Sequence, residues 1–84
     1  RRSGRPALGG EERPRISLSD LGLAPAERQY VLSILAGESI KAIASEAGVS
    51  DSTVRNSLAR AYRKLGVSDM IGLVALAGRN EILP

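Results

Sequence analysis

Between Ser52 and Lys64 the chain sets out Ser52, Thr53, Arg55, Asn56, Ala59, Arg60, Arg63 and Lys64, an array of cations, hydroxyls, one amide and one methyl. None of these groups does covalent chemistry alone, and no histidine or cysteine is present to activate one. What they can do is bind an anionic polymer and read it. Guanidinium and ammonium groups neutralise phosphates, Arg pairs with guanine and Asn with adenine through two hydrogen bonds each, and a methyl group suits the methyl of thymine. The commoner fate of charges on a surface helix is plain solvation, so the array gains meaning only from the elements that hold it.

Val54, Leu58, Ala61 and Leu65 recur at offsets of four, three and four, which predicts a helix over about 51–64 with this apolar side buried and Ser52, Arg55, Asn56, Ala59, Arg60 and Arg63 on the opposite side. The turn before it is short. Gly48 can take a positive φ after a helix, Val49 is expected to plug the turn into the core, and Ser50 can cap the next helix. The preceding helix, from Ser39 to Ala47, should turn Ile40, Ile43, Ala44 and Ala47 inward and leave Lys41 outward near its start, as a phosphate contact or a solvated lysine. Two helices joined by so tight a turn form a helix-turn-helix, and Arg55 and Asn56 then lie in the first turns of its second helix, where its N-terminal end would meet base edges. Ser52, Arg60, Arg63 and Lys64, with Lys41, are the candidates for phosphate.

A further helix is expected from Pro25, a favourable first helical residue, to Gly37, with Glu27 near its positive end and Val31, Leu32, Ile34 and Leu35 as its apolar stripe. Ala24 offers no capping side chain. Leu21 and Leu23 are expected to cover one end of the core. After Gly66, Ser68 and Asp69 predict a last helix of about 69–77. Met70 to Ala77 contains no polar side chain, and a helix apolar all round is normally covered all round. Met70, Leu73, Val74 and Ala77 can face the core, which leaves Ile71, Gly72, Ala75 and part of Leu76 for a second copy of the chain.

Composition narrows the alternatives. Eighty-four residues with no Phe, no Trp and two Tyr allow one small domain with an aliphatic core. The lack of Cys and His removes disulfides, thiolate nucleophiles and most metal sites, so no enzyme, cofactor or metal is expected. No apolar run reaches the length of a membrane-spanning helix. The net charge of +3 falls in residues 1–15, which hold five Arg against two Glu, while residues 16–84 are balanced. That first segment mixes Arg with Gly and Pro without any period. It reads as a flexible basic arm or linker, with a minor-groove arm as the sharper alternative, and the folded domain as 16–84.

Taken together, the opening LAPAE, then VLSILAG, SIKAIA, GVSDSTV and KLGV resemble, in order, the DNA-binding domain of LuxR-type (NarL/FixJ-like) bacterial transcriptional regulators. The resemblance implies an all-α domain of four helices, the third in the major groove of double-stranded DNA and the fourth forming a homodimer. It implies that Arg55, Asn56 and Ala59 look toward bases, and that Lys41, Thr53 and Lys64 approach phosphates. The chain itself reads as cytoplasmic, and its start at Arg1 rather than Met suggests a C-terminal fragment whose preceding part could be a sensor, a receiver or a membrane domain. The chain departs from the family's usual residues at Ala24, Ala26, Ser57, Ala61 and Met70. SLARAYRKL also resembles the promoter-reading helix-turn-helix of sigma factors, but a sigma region has no need of the apolar fourth helix. A protein-interaction module without DNA binding is the other alternative, and it predicts no salt-sensitive affinity for DNA.

Overall fold

The computed structural model describes residues 13–84. Its elements run β1 (Arg15–Ser17), α1 (Pro25–Leu35), α2 (Ile40–Ala47), α3 (Asp51–Leu65), α4 (Met70–Arg79) and β2 (Glu81–Leu83). The fold is the all-α, four-helix arrangement expected, with one addition. β1 and β2, from opposite ends of the described chain, pair in parallel with Ile16 opposite Ile82. Three residues per strand carry too little pattern to stand out in sequence, and the pairing needs both ends to be brought together first.

The helices start and stop where local chemistry dictates. At α1, where Ala24 cannot cap, Glu27 reaches back and accepts from the Ala24 backbone N–H at 2.9 Å. Ser39 caps α2 by accepting from Ala42 N at 3.1 Å, and Ser50 caps α3 by accepting from Thr53 N at 3.1 Å. Gly48 ends α2 at φ 71°, a left-handed conformation that costs a glycine nothing, and the N–H of Val49 returns to Ala44 O at 3.0 Å. The turn into α3 is thereby fixed.

The core is aliphatic, centred on Leu18, Val31, Val54 and Leu73, with Leu23, Ile43, Ala44, Leu58 and Ala61 around them. The backs of α1, α2 and α3 meet here as their periodicity requires. Several side chains depart from expectation. Leu21 is exposed, and its place at the end of the core belongs to Leu18, which the strand pair draws inward through a bond from its N–H to Leu83 O. Val49 is also exposed, because its backbone closes the turn while the side chain points out. Ala47, at the last turn of α2, is exposed as well.

The largest departure lies in α4. Leu73 is wholly buried, but Met70 and Val74 are 51% and 52% exposed instead of facing the core. The helix is rolled so that Gly72 and Leu76 flank Leu73 on the covered side. Gly72 explains the roll. A Cβ there would lie 3.1 Å from Val67 Cβ, so the bare α-carbon lets α4 settle on Val67 of its own chain rather than on a second copy. No helix among the described residues is long and apolar enough to cross a membrane.

Candidate nucleic-acid interface

Because Val54, Leu58 and Ala61 are buried, rotation at the helical period presents Ser52, Thr53, Arg55, Asn56, Ala59, Arg60, Arg63 and Lys64 on the exposed surface of α3. The six side chains expected outward are so, and Thr53 and Lys64 are exposed with them. Lys41 is exposed in the first turn of α2. Arg63 and Lys64 also occupy the last turn of α3, where cations are favoured by the helix dipole, while Asp51 occupies the first.

The array has two unlike flanks. On the side toward α1, Glu27 is buried to 4% exposure and takes three charged or backbone donors: Lys64 Nζ at 2.8 Å, Ala24 N at 2.9 Å and Arg60 Nε at 3.2 Å. Lys64 Nζ also donates to Gly22 O at 3.1 Å, and Arg60 Nη2 donates to Ser57 Oγ at 3.1 Å. The Lys64 ammonium, then the Ala24 amide, hold the Glu27 carboxyl below its ordinary pKa, with Arg60 adding to the effect, although burial alone would push it up. A buried carboxylate is tolerable only because it is paired and fully bonded. The network therefore braces α3 against α1 and fixes the two cations that lie along it.

The other flank carries no such brace. Among the described residues, no ion pair or side-chain hydrogen bond holds Arg55, Asn56, Arg63 or Lys41. Arg55, Ala59 and Arg63 border an open cleft of about 560 Å³ between α3 and the start of α4, floored by Leu58 and Tyr62. The carboxylate on that wall, Asp69, is engaged as the cap of α4, accepting from Gly72 N at 2.9 Å. Burial and the Asp69 charge push the Tyr62 phenol up, so it stays protonated at neutral pH. Two guanidiniums thus face solvent on a helix whose back is fixed, which suits a polyanion.

Glu27, Ser57 and Gly22 belong to the site although nothing in the array itself points to them. Glu27 is legible in sequence only as a residue near a helix start. Its second role depends on α1 crossing α3, and the single available signal is the i, i+4 spacing of Arg60 and Lys64, which places two cations on one side.

On α4, Ile71 is 76% exposed and Ala75 is exposed, whereas Gly72 and Leu76 are partly covered by their own chain. Met70 and Val74 join Ile71 and Ala75 on the outward side. The unpartnered apolar surface is therefore broader than, and rotated from, the one expected.

The family model for bacterial regulatory proteins of the luxR family matches residues 22–77. Among curated proteins, the chain is similar to a probable transcriptional regulatory protein NarL of Mycobacterium tuberculosis, in two strains, at 43% identity over 76 residues. That alignment takes in 90% of this chain and 35% of the relative. It is also similar to a probable HTH-type transcriptional regulator GfsR of Streptomyces halstedii, at 41% identity over 51 residues, covering 61% of this chain and 21% of that protein. The chain thus spans about a third or less of the length of these relatives. No solved structure matches it.

Proposed function

The chain belongs to the luxR family of bacterial regulatory proteins, and on that premise we propose that α3 enters the major groove of duplex DNA to read sequence for a transcriptional regulator. The observation that carries this reading is the outward row of Arg55, Asn56, Ala59 and Arg63 on a helix whose opposite side is locked into the core. Arg55 and Asn56, in the first turns of α3, meet base edges, and Ala59 offers a methyl to the groove floor. Ser52, Thr53, Arg63 and Lys41 lie around them as phosphate contacts. Arg60 and Lys64 add to these with the donors that Glu27, Ser57 and Gly22 leave unused, since each side chain remains partly exposed.

The outward side of α4 supports pairing of two copies, with Ile71 and Ala75 at its centre and Met70 and Val74 beside them. Contiguous exposed apolar surface of this kind marks an interaction site. One short helix per partner falls below the roughly 800 Å² per partner of a standard stable interface, so pairing is weak in solution and is completed on DNA with adjacent half-sites. A DNA-reading role supports a cytoplasmic location for this domain. The greater length of the relatives supports a further sensory or receiver domain in the whole protein.

Fluorescence anisotropy on a duplex selected from a randomised pool, beside a scrambled duplex, tests the reading. Arg55→Ala is expected to cost about 1–3 kcal/mol on the selected site and little on the scrambled one. Equal losses on both would reduce Arg55 to a phosphate clamp. An affinity indifferent to salt would remove DNA binding altogether and favour a protein-interaction module.

A further inference from the structure

α4 is the least anchored helix of the domain, since Leu73 is its one buried side chain. It also lacks the glycine stop that α2 and α3 have at Gly48 and Gly66. Its capping residue, Asn80, is extended at φ −136°, and its side-chain amide donates to Leu76 O at 2.9 Å. A further donor to this end of the helix comes from 67 residues away in sequence. Arg13 Nη2 donates to Asn80 O at 2.9 Å and, more weakly, to Ala77 O at 3.4 Å.

The strand pair holds Arg13 in that position. Glu81 N donates to Pro14 O at 2.7 Å, one residue beyond Arg13, and Arg15 pairs with Glu81 at 3.3 Å. A guanidinium at a helix C-terminus bonds the free carbonyls and opposes the negative end of the dipole. Of the segment read from sequence as a flexible basic arm or linker, residues 1–12 lie outside the described residues, and 13–15 form a strap across the C-terminus of the helix that carries the exposed apolar side.

We infer that Arg13 is a positioning residue for pairing through α4: it fixes the last turn of the helix, and with it the orientation of the side that Ile71, Val74 and Ala75 present to a second copy. This rests on the proposed pairing of two copies through α4. It gives residues 13–17 a task other than contacting DNA.

The experiment uses the full chain as wild type, Arg13→Ala, Arg13→Lys and Ile71→Asp. Amide hydrogen exchange is read at Asn80 and Glu81, and cooperative filling is read on a two-half-site duplex selected with the wild-type chain, beside the same duplex with one half-site scrambled. Arg13→Ala is expected to speed exchange at both amides by about fivefold, the effect of one lost hydrogen bond. It should lower cooperativity severalfold and leave single half-site affinity within about twofold, as an interaction remote from the groove requires. Arg13→Lys, which keeps the charge but not the planar fork, should fall between.

Unchanged exchange in Arg13→Ala overturns the inference at its first step. Faster exchange with wild-type cooperativity, while Ile71→Asp abolishes cooperativity, leaves pairing standing and makes Arg13 a cap without influence on it. Cooperativity retained in Ile71→Asp overturns the pairing reading and takes the role of Arg13 in pairing with it. A fall in single half-site affinity with a flatter salt dependence makes Arg13 a phosphate contact instead, which also overturns the inference.

Discussion

The two flanks of α3 carry similar cations in unlike surroundings. Arg60 and Lys64 meet a buried carboxylate and are held by it, whereas Arg55 and Arg63 border an open cleft whose lining carboxylate, Asp69, is engaged as the cap of α4. The difference teaches that counting positive residues on α3 overstates what is available to a polyanion. Part of the charge orients the helix, and part is left unpaired at its surface. On the proposed reading, a helix that enters a groove in one orientation needs both, because an unbraced helix would give up in rotation what it gained in charge.

The comparison is broken most severely by removing its centre. Glu27→Ala deletes the acceptor of three donors, and urea unfolding is expected to show a loss of about 2–3 kcal/mol, in the range for charge-assisted bonds whose partners can turn to solvent. The same substitution releases Arg60 and Lys64, so the logarithmic salt slope of DNA binding, measured where the variant is still folded, should steepen by about one to two units. An unchanged slope would mean that the two cations already contact phosphate fully in the wild type.

Acid breaks the same network without mutation. The folded-state pKa of Glu27 is depressed, so its contribution is fully present above its unfolded value of about 4.3 and is lost as pH falls through the lower folded value. Stability measured by urea from pH 6 downward should therefore decline below about pH 4.5, and Glu27→Gln should decline less steeply over that window. Parallel curves would show that other carboxylates govern the acid limb.

A smaller effect separates the flanks directly. Arg63→Ala should flatten the salt slope by about 0.9 with little change in thermal stability, because nothing within the described chain depends on its guanidinium. Lys64→Ala should do the reverse, lowering stability by about 1–2 kcal/mol through the loss of two hydrogen bonds, one of them to a buried charge, with a slope change under about half a unit. Matching slopes for the two variants would erase the distinction between the flanks. The smallest change is expected for Ser57→Ala, about 0.5 kcal/mol, since Arg60 keeps its bond to Glu27.

The sequence by itself determined the four helices, their caps and the helix-turn-helix, because these follow from local chemistry: Ser39 and Ser50 as acceptors, Gly48 and Gly66 as left-handed stops, and an apolar period that needs only neighbours in the chain. It determined the outward row on α3 for the same reason, since burying Val54, Leu58 and Ala61 leaves the other residues no alternative. Tertiary structure alone decided how those helices are turned against one another and what each charge meets. The roll of α4 depends on Gly72 finding Val67, the pairing of Ile16 with Ile82 depends on the two ends meeting, and the burial of Glu27 beneath Lys64 depends on α1 crossing α3. A periodic pattern records which side of a helix is apolar. It holds no record of the partner across the gap, because that partner is remote in the chain and the choice is made by the packing of the whole.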